Sequence, residues 1–246
     1  MCHDDDSRPP APPVHGEVAA RSDLHLTAAD GNRLLAHGAR AGTSTGIGVV
    51  VMPDVRGLHE YYRQLAARFA EAGIDAVAID YFGRTADTAD RTAAFEFRPH
   101  VEQTTADGVA ADVAAGVSYL RTAEGGAADR VFTVGFCFGG ARSWAQSADT
   151  RGLDGCIGFY GRPSMVQESV DRMTAPLLLL MGGADENIPP ADAESFAADV
   201  RAHGLRADVH VYDGAPHSFF DRSFADHREA CADAWDRMLD FVGRPV

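Results

Sequence analysis

Three side chains of types that cooperate in covalent catalysis, Cys137, Asp185 and His217, each stand just beyond a short apolar run of the 246-residue chain. Cys137 lies in VFTVGFCFGGARSW (131–144), which reads as a strand, a glycine-rich turn and the start of a helix. Gly135, Gly139 and Gly140 leave room where the backbone crowds around the apex. A thiol held there sits at a helix N-terminus, where the dipole favours the thiolate. A thiolate attacks a carbonyl carbon without the strong base that a hydroxyl needs. Asp185 follows PLLLLMGG and His217 follows VHVYDG, so nucleophile, acid and base come in the order that a sheet-edge hydrolytic site uses. In that arrangement His217 relays the proton and then activates water, while Asp185 orients the imidazole. The N–H of Phe138, next after the nucleophile, is expected to form half of an oxyanion hole. The loop after GIGVVVM is expected to supply the other half, from Val55.

The elements that must position these groups follow from the hydrophobic pattern. LHLTAADGNRLLAHGAR (24–40) reads as an antiparallel hairpin around an Asp30-Gly31 turn. After it come short, nearly continuous apolar runs: GIGVVVM (46–52), IDAVAID (74–80), RVFTVGF (130–136), GCIGFYG (155–161), APLLLLMGG (175–183) and ADVHVYDG (207–214). Runs apolar throughout are strands buried on both faces. Between most of them, apolar residues recur at three and four spacing in YYRQLAARFAEAG, from Thr104 to Thr122, in ADAESFAADVRAHG and in FADHREACADAWDRMLDFV. Repeated strand-helix-strand units predict an α/β fold with a mostly parallel central sheet, helices on both faces and the N-terminal hairpin antiparallel. Residues 81–103 read as too polar and irregular for a regular element, and as a loop over the site.

Composition narrows the class. With 46% hydrophobic and 24% charged residues the chain reads as an ordinary globular protein. A formal charge of −14, from 36 acidic and 22 basic residues, argues against nucleic acid and anionic membranes as partners. No apolar run approaches the ~20 residues of a membrane span. The start, MCHDDDSRPPAPP, is acidic and proline-rich where a secretion signal would be basic and then apolar, so a cytoplasmic location is expected. Residues 1–16 read as a disordered polar tail and 17–246 as one domain. The four cysteines form no CxxC pair and no disulfide framework. Cys156 and Cys231 read as small buried hydrophobes. Cys2-His3-Asp4 reads as a frayed terminus rather than a metal site.

GFCFGG (135–140), VVVMPDVRGL (49–58), GIDAVAIDYFGR (73–84), GGADENIP (182–189) and GAPHSFFDR (214–222) together resemble the dienelactone hydrolase family, the cysteine-dependent branch of the α/β-hydrolases. The resemblance implies an α/β-hydrolase fold from about residue 46 onward and cleavage of a small lactone or ester, of the carboxymethylenebutenolide kind, through a covalent thioester on Cys137. It implies no cofactor and no metal. It also implies that an acidic residue in the oxyanion loop activates the thiol; that position holds Asp54, where the best-known members carry glutamate. Arginines of the family hold the substrate carboxylate, for which this chain offers Arg98 and Arg222, with Arg56, His59, Tyr61 and Tyr62 as further pocket-lining candidates. Two rivals use the same residues: a broad carboxylesterase or thioesterase, and a non-catalytic ligand-binding or redox-sensing protein on the same scaffold. The chain is expected to act as a monomer or homodimer.

Overall fold

The computed structural model describes residues 4–221 and 224–244. Eight strands form one sheet in the order β1-β2-β4-β3-β5-β6-β7-β8. They are β1 (Val18–Thr27), β2 (Arg33–Ala41), β3 (Ile47–Met52), β4 (Asp75–Ile79), β5 (Arg130–Phe136), β6 (Gly155–Phe159), β7 (Leu177–Gly182) and β8 (Ala207–Tyr212). β1, β2 and β4 pair antiparallel and the remainder in parallel. Gly31 at φ 87° makes the hairpin turn, a backbone state that costs glycine little. Among the described residues, no helix is long and apolar enough to cross a membrane.

Of the six strands that read as apolar throughout, β3 to β7 are covered on both faces, whereas β8, at the sheet edge, keeps Asp208, Val209, His210 and Val211 only partly buried. Val49, Val51, Phe132 and Val134 point to one side, against Phe69 of α1 (Glu60–Glu71) and Trp235, Met238 and Phe241 of α6 (Arg228–Gly243). Val50, Met52 and Val77 point to the other, against Val109, Val113 and Val117 of α3 (Ala106–Leu120). Farther along that second face, α4 (Phe138–Asp149) and α5 (Pro190–Ala202) cover Cys156, Leu177 and Leu179. The period-two alternation of side chains turns each continuous apolar run into two cores.

Two segments depart from the sequence pattern. Residues 81–103 contain a 3-10 turn at Tyr81–Arg84, capped by Asp80, and a short helix α2 (Arg98–Gln103). A buried Asp80–Arg91 ion pair at 2.8 Å anchors the polar stretch between them. The segment expected to be a disordered tail lies against the domain from residue 4 to 16. It has no helix or strand, yet Pro9, Pro10 and Pro12 are buried. The cause is a polar demand from the core: the buried Trp235 N–H needs an acceptor, and Pro10 O supplies it at 3.2 Å. Gly16 N–H adds a 2.7 Å bond to Glu71 O. Cys2 and His3 lie outside the described residues.

Candidate active site

In this sheet β3, β5, β6, β7 and β8 are successive parallel neighbours, so their carboxyl ends share one edge. Cys137 follows β5 at that edge with φ 54° and ψ −113°, a conformation that costs a non-glycine residue ~1–3 kcal/mol. The surroundings impose it. Cys137 N–H donates to Phe159 O at 3.0 Å, and Gly140 N–H donates to Cys137 O at 3.0 Å. A Cβ on Gly135 would lie 1.9 Å from Gly139 O, and one on Gly139 would lie 2.3 Å from both Met52 O and Pro53 O. The elbow therefore abuts the loop that follows β3, which carries Asp54 and Val55. Phe138 opens α4, so its N–H belongs to the first helical turn and has no acceptor within the helix.

Asp185 and His217 follow β7 and β8. His217 Nδ1 lies 2.7 Å from Asp185 Oδ2, while Asp185 Oδ1 accepts from the N–H groups of Asn187 (2.9 Å) and Ile188 (3.1 Å). Burial alone would raise this carboxyl's pKa; the bonds from His217, Asn187 and Ile188 outweigh it and hold the group below its ordinary range. An ionised Asp185 only accepts, so Nδ1 carries the proton and Nε2 is the basic nitrogen. The Tyr160 ring packs 4.9 Å from the imidazole, and its hydroxyl donates to the buried carboxylate of Asp221 at 2.9 Å. Tyr160→Phe removes that donor from a buried acceptor, and a loss of about 2 kcal/mol in denaturant unfolding is expected.

Cys137 and His217 line one cleft of about 270 Å³, together with Phe138, Arg162, Met165, Asn187 and Ile188. Phe138 packs on Tyr81 and Phe82, with ring centroids at 5.7 and 6.2 Å, so the start of the 81–103 segment supports the cleft wall. Cys156 and Cys231 are buried, as expected for small hydrophobes, and burial pushes both thiols up to about 12. Cys137 is partly exposed in the cleft.

The other candidates divide sharply. Asp54 is fully buried beside the elbow, its Oδ1 accepting from Arg56 N–H at 2.8 Å. The Tyr81 hydroxyl bonds Pro53 O and Asp54 O while its ring packs on Phe138, so it ties the loop after β3 to the first residue of α4; burial raises its pKa well above normal. Arg56, His59 and Tyr61 are absent from the cleft lining and are buried in packing roles. Arg56 bonds Asp5 and Arg91 O, His59 caps α1 through Tyr61 N–H, and Tyr61 donates to Phe220 O at 3.0 Å. The Tyr62 hydroxyl accepts from Asp54 N–H. Arg98 is exposed at the start of α2 and does not line the cleft; Arg222 lies outside the described residues. Arg162, which the sequence pattern did not single out, does line it. The signal was available: Arg162 stands just past the carboxyl end of β6, where parallel sheets bind ligands.

A model of the dienelactone hydrolase family matches residues 36–245. The chain belongs to that family. An Escherichia coli K12 member provisionally named a carboxymethylenebutenolidase is 28% identical over 204 residues, covering 78% of this chain and 75% of its own. A Bradyrhizobium protein provisionally named a 2-oxo-3-(5-oxofuran-2-ylidene)propanoate lactonase is 29% identical over 205 residues, covering 79% and 82%. The crystal structure of a Klebsiella pneumoniae protein provisionally called a dienelactone hydrolase superposes with a TM-score of 0.72 at 27% identity, covering 92% of this chain and all of that one. The fold is that of the α/β-hydrolases, and as a dienelactone hydrolase family member the protein is a hydrolase of carboxylic esters or lactones.

Proposed function

We propose that the chain opens small anionic lactones, or cleaves equivalent esters, by way of a thioester on Cys137. The reading rests on one observation: Cys137 and His217 line the same cleft, with His217 Nδ1 on Asp185 at 2.7 Å. His217 Nε2 takes the thiol proton as Sγ attacks the carbonyl carbon, and the carbonyl oxygen becomes an oxyanion facing the N–H groups of Phe138 and Val55. Such donors are each worth ~3 kcal/mol in the transition state. The C–O bond then breaks, and the leaving oxygen takes the proton from His217. For a lactone that oxygen stays on the acyl chain. Water next gives a proton to His217 and attacks the thioester, and Sγ leaves and regains the proton as the acid departs. Asp54 beside the elbow would bias the resting thiol toward reaction. No step needs a metal or cofactor.

The cleft's lining supports the anionic substrate class. Phe138, Met165 and Ile188 make an apolar wall, and among the described residues no carboxylate lines the cleft. Arg162 presents a forked donor suited to a carboxylate. A charged hydrogen bond of ~1.5–3 kcal/mol sets the expected effect of Arg162→Ala: KM for a carboxylate-bearing dienelactone rises ~10–100-fold, and the loss on p-nitrophenyl acetate is much the smaller. Equal losses on both substrates would favour a broad esterase.

The direct test follows dienelactone absorbance at neutral pH while intact-protein mass spectrometry looks for an acyl adduct on Cys137 in rapidly quenched samples. Turnover with a transient adduct is expected. Turnover without one, in wild type and in His217→Ala, would exclude the thioester.

A further inference from the structure

The segment ahead of β1 reaches the buried Arg56 guanidinium in the turn that follows β3. Asp5 Oδ1 bonds the Arg56 guanidinium and lies 3.3 Å from His59 Nε2, and Ala93 N–H donates to both carboxylate oxygens at 3.1 and 3.2 Å. Arg56 and His59 are 1% and 4% exposed, so their charge and ring are sequestered where a counter-carboxylate matters. Asp5's carboxyl is held below its ordinary range by Arg56 and Ala93, in keeping with that role.

The position of Arg56 gives this contact consequences. Residues 54–57 form a turn closed by Gly57 N–H on Asp54 O at 3.1 Å, and its two central residues are Val55 and Arg56. At its start the turn is pinned by Tyr62, whose hydroxyl accepts from Asp54 N–H, and by the Tyr81 hydroxyl on Pro53 O and Asp54 O. On its far side it is held through the Arg56 side chain, by Asp5 and by Arg91 O. Val55 lies between these two anchors.

We propose that Asp5 is a positioning residue: the N-terminal segment is a strap whose half-exposed carboxylate ties together Arg56, His59 and the Ala93 N–H and so aims the oxyanion turn. The group these three partners bind is a small carboxylate, supplied by the chain itself. Because Asp5 touches Arg56 and not the cleft, its loss acts on the transition state and leaves substrate binding alone.

The inference rests on the oxyanion role of Val55, and its test separates the two. In the 246-residue chain, Asp5→Ala is expected to lower kcat on p-nitrophenyl acetate about tenfold with KM within about twofold, inside the ~10²-fold that a 1 Å misplacement can cost. Sodium formate or acetate, the probe carboxylates, should restore part of that kcat, where sodium chloride at equal ionic strength should not. Hydrogen exchange of the peptide spanning 53–58 should quicken in Asp5→Ala and slow again with formate, with exchange in β5 and β6 unchanged. An unchanged kcat, or a loss matched by faster exchange throughout the sheet and not rescued, overturns the strap. A wild type inactive on every ester, with residues 53–58 still loosened in Asp5→Ala, sinks the proposed function and leaves the strap standing.

Discussion

Cys137→Ala is expected to lower kcat/KM for a dienelactone by about 10⁴-fold or more, the scale seen when a nucleophile is removed from a catalytic triad. The folded state should be unharmed, because alanine keeps the Cβ and the cleft side of the residue is partly open. A companion variant separates chemistry from backbone strain. At φ 54° and ψ −113° the cysteine occupies a conformation that glycine adopts at little cost. Cys137→Gly should therefore be equally inactive, yet more stable than Cys137→Ala by ~1 kcal/mol in denaturant titration. Paired loss of activity and gain in stability would show that the elbow holds strain in order to present sulfur. If Cys137→Ala kept more than about a tenth of wild-type turnover, far above the residue left by triad removal, another nucleophile would have to be sought. The remaining described cysteines are poor substitutes, since Cys156 and Cys231 are buried with thiols at about 12.

Gly139→Ala is the second large expectation, and its cause is purely steric. The new methyl would lie 2.3 Å from the carbonyl oxygens of Met52 and Pro53, neither of which can rotate away as a flexible side chain would. Elbow and oxyanion loop must separate, or the first turn of α4 must tilt. The expected destabilisation is about 3 kcal/mol, the upper range for overpacking. Activity of the fraction that remains folded should fall ~10²-fold, because the proposed oxyanion donors, the N–H groups of Phe138 and Val55, sit on the two segments that are forced apart. Gly243→Ala is the control: a Cβ there meets nothing within 4 Å, so it should leave melting and turnover near wild type. If Gly139→Ala melted and turned over like wild type, the close approach of elbow and loop would be wrong.

Much of this protein could be read along the chain. Six apolar runs became six parallel strands, with RVFTVGF matching β5 from Arg130 to Phe136. The order Cys137, Asp185, His217 became three neighbours on one sheet edge, because a parallel sheet brings every strand's carboxyl end to the same side. These features are local: hydrophobic periodicity and turn chemistry act over a few residues and are written in them.

Side-chain direction across long separations was decided only by the fold. Arg56, His59 and Tyr61 follow the oxyanion loop in sequence and read as pocket residues. The 54–57 turn directs Arg56 onto Asp5, and the start of α1 turns His59 into a helix cap and Tyr61 onto Phe220 O. Arg162 reads as one surface arginine among many until β6 is seen beside β5, which sets it in the cleft with Cys137. The polar start of the chain has the composition of a free tail, yet Trp235 and Arg56, 225 and 51 residues from their partners Pro10 and Asp5, hold it down. A burial or charge demand raised so far away leaves no mark on local sequence. The sequence by itself therefore determined the sheet edge that gathers Cys137, Asp185 and His217, and tertiary packing decided which arginine lines the cleft and which is turned to the interior.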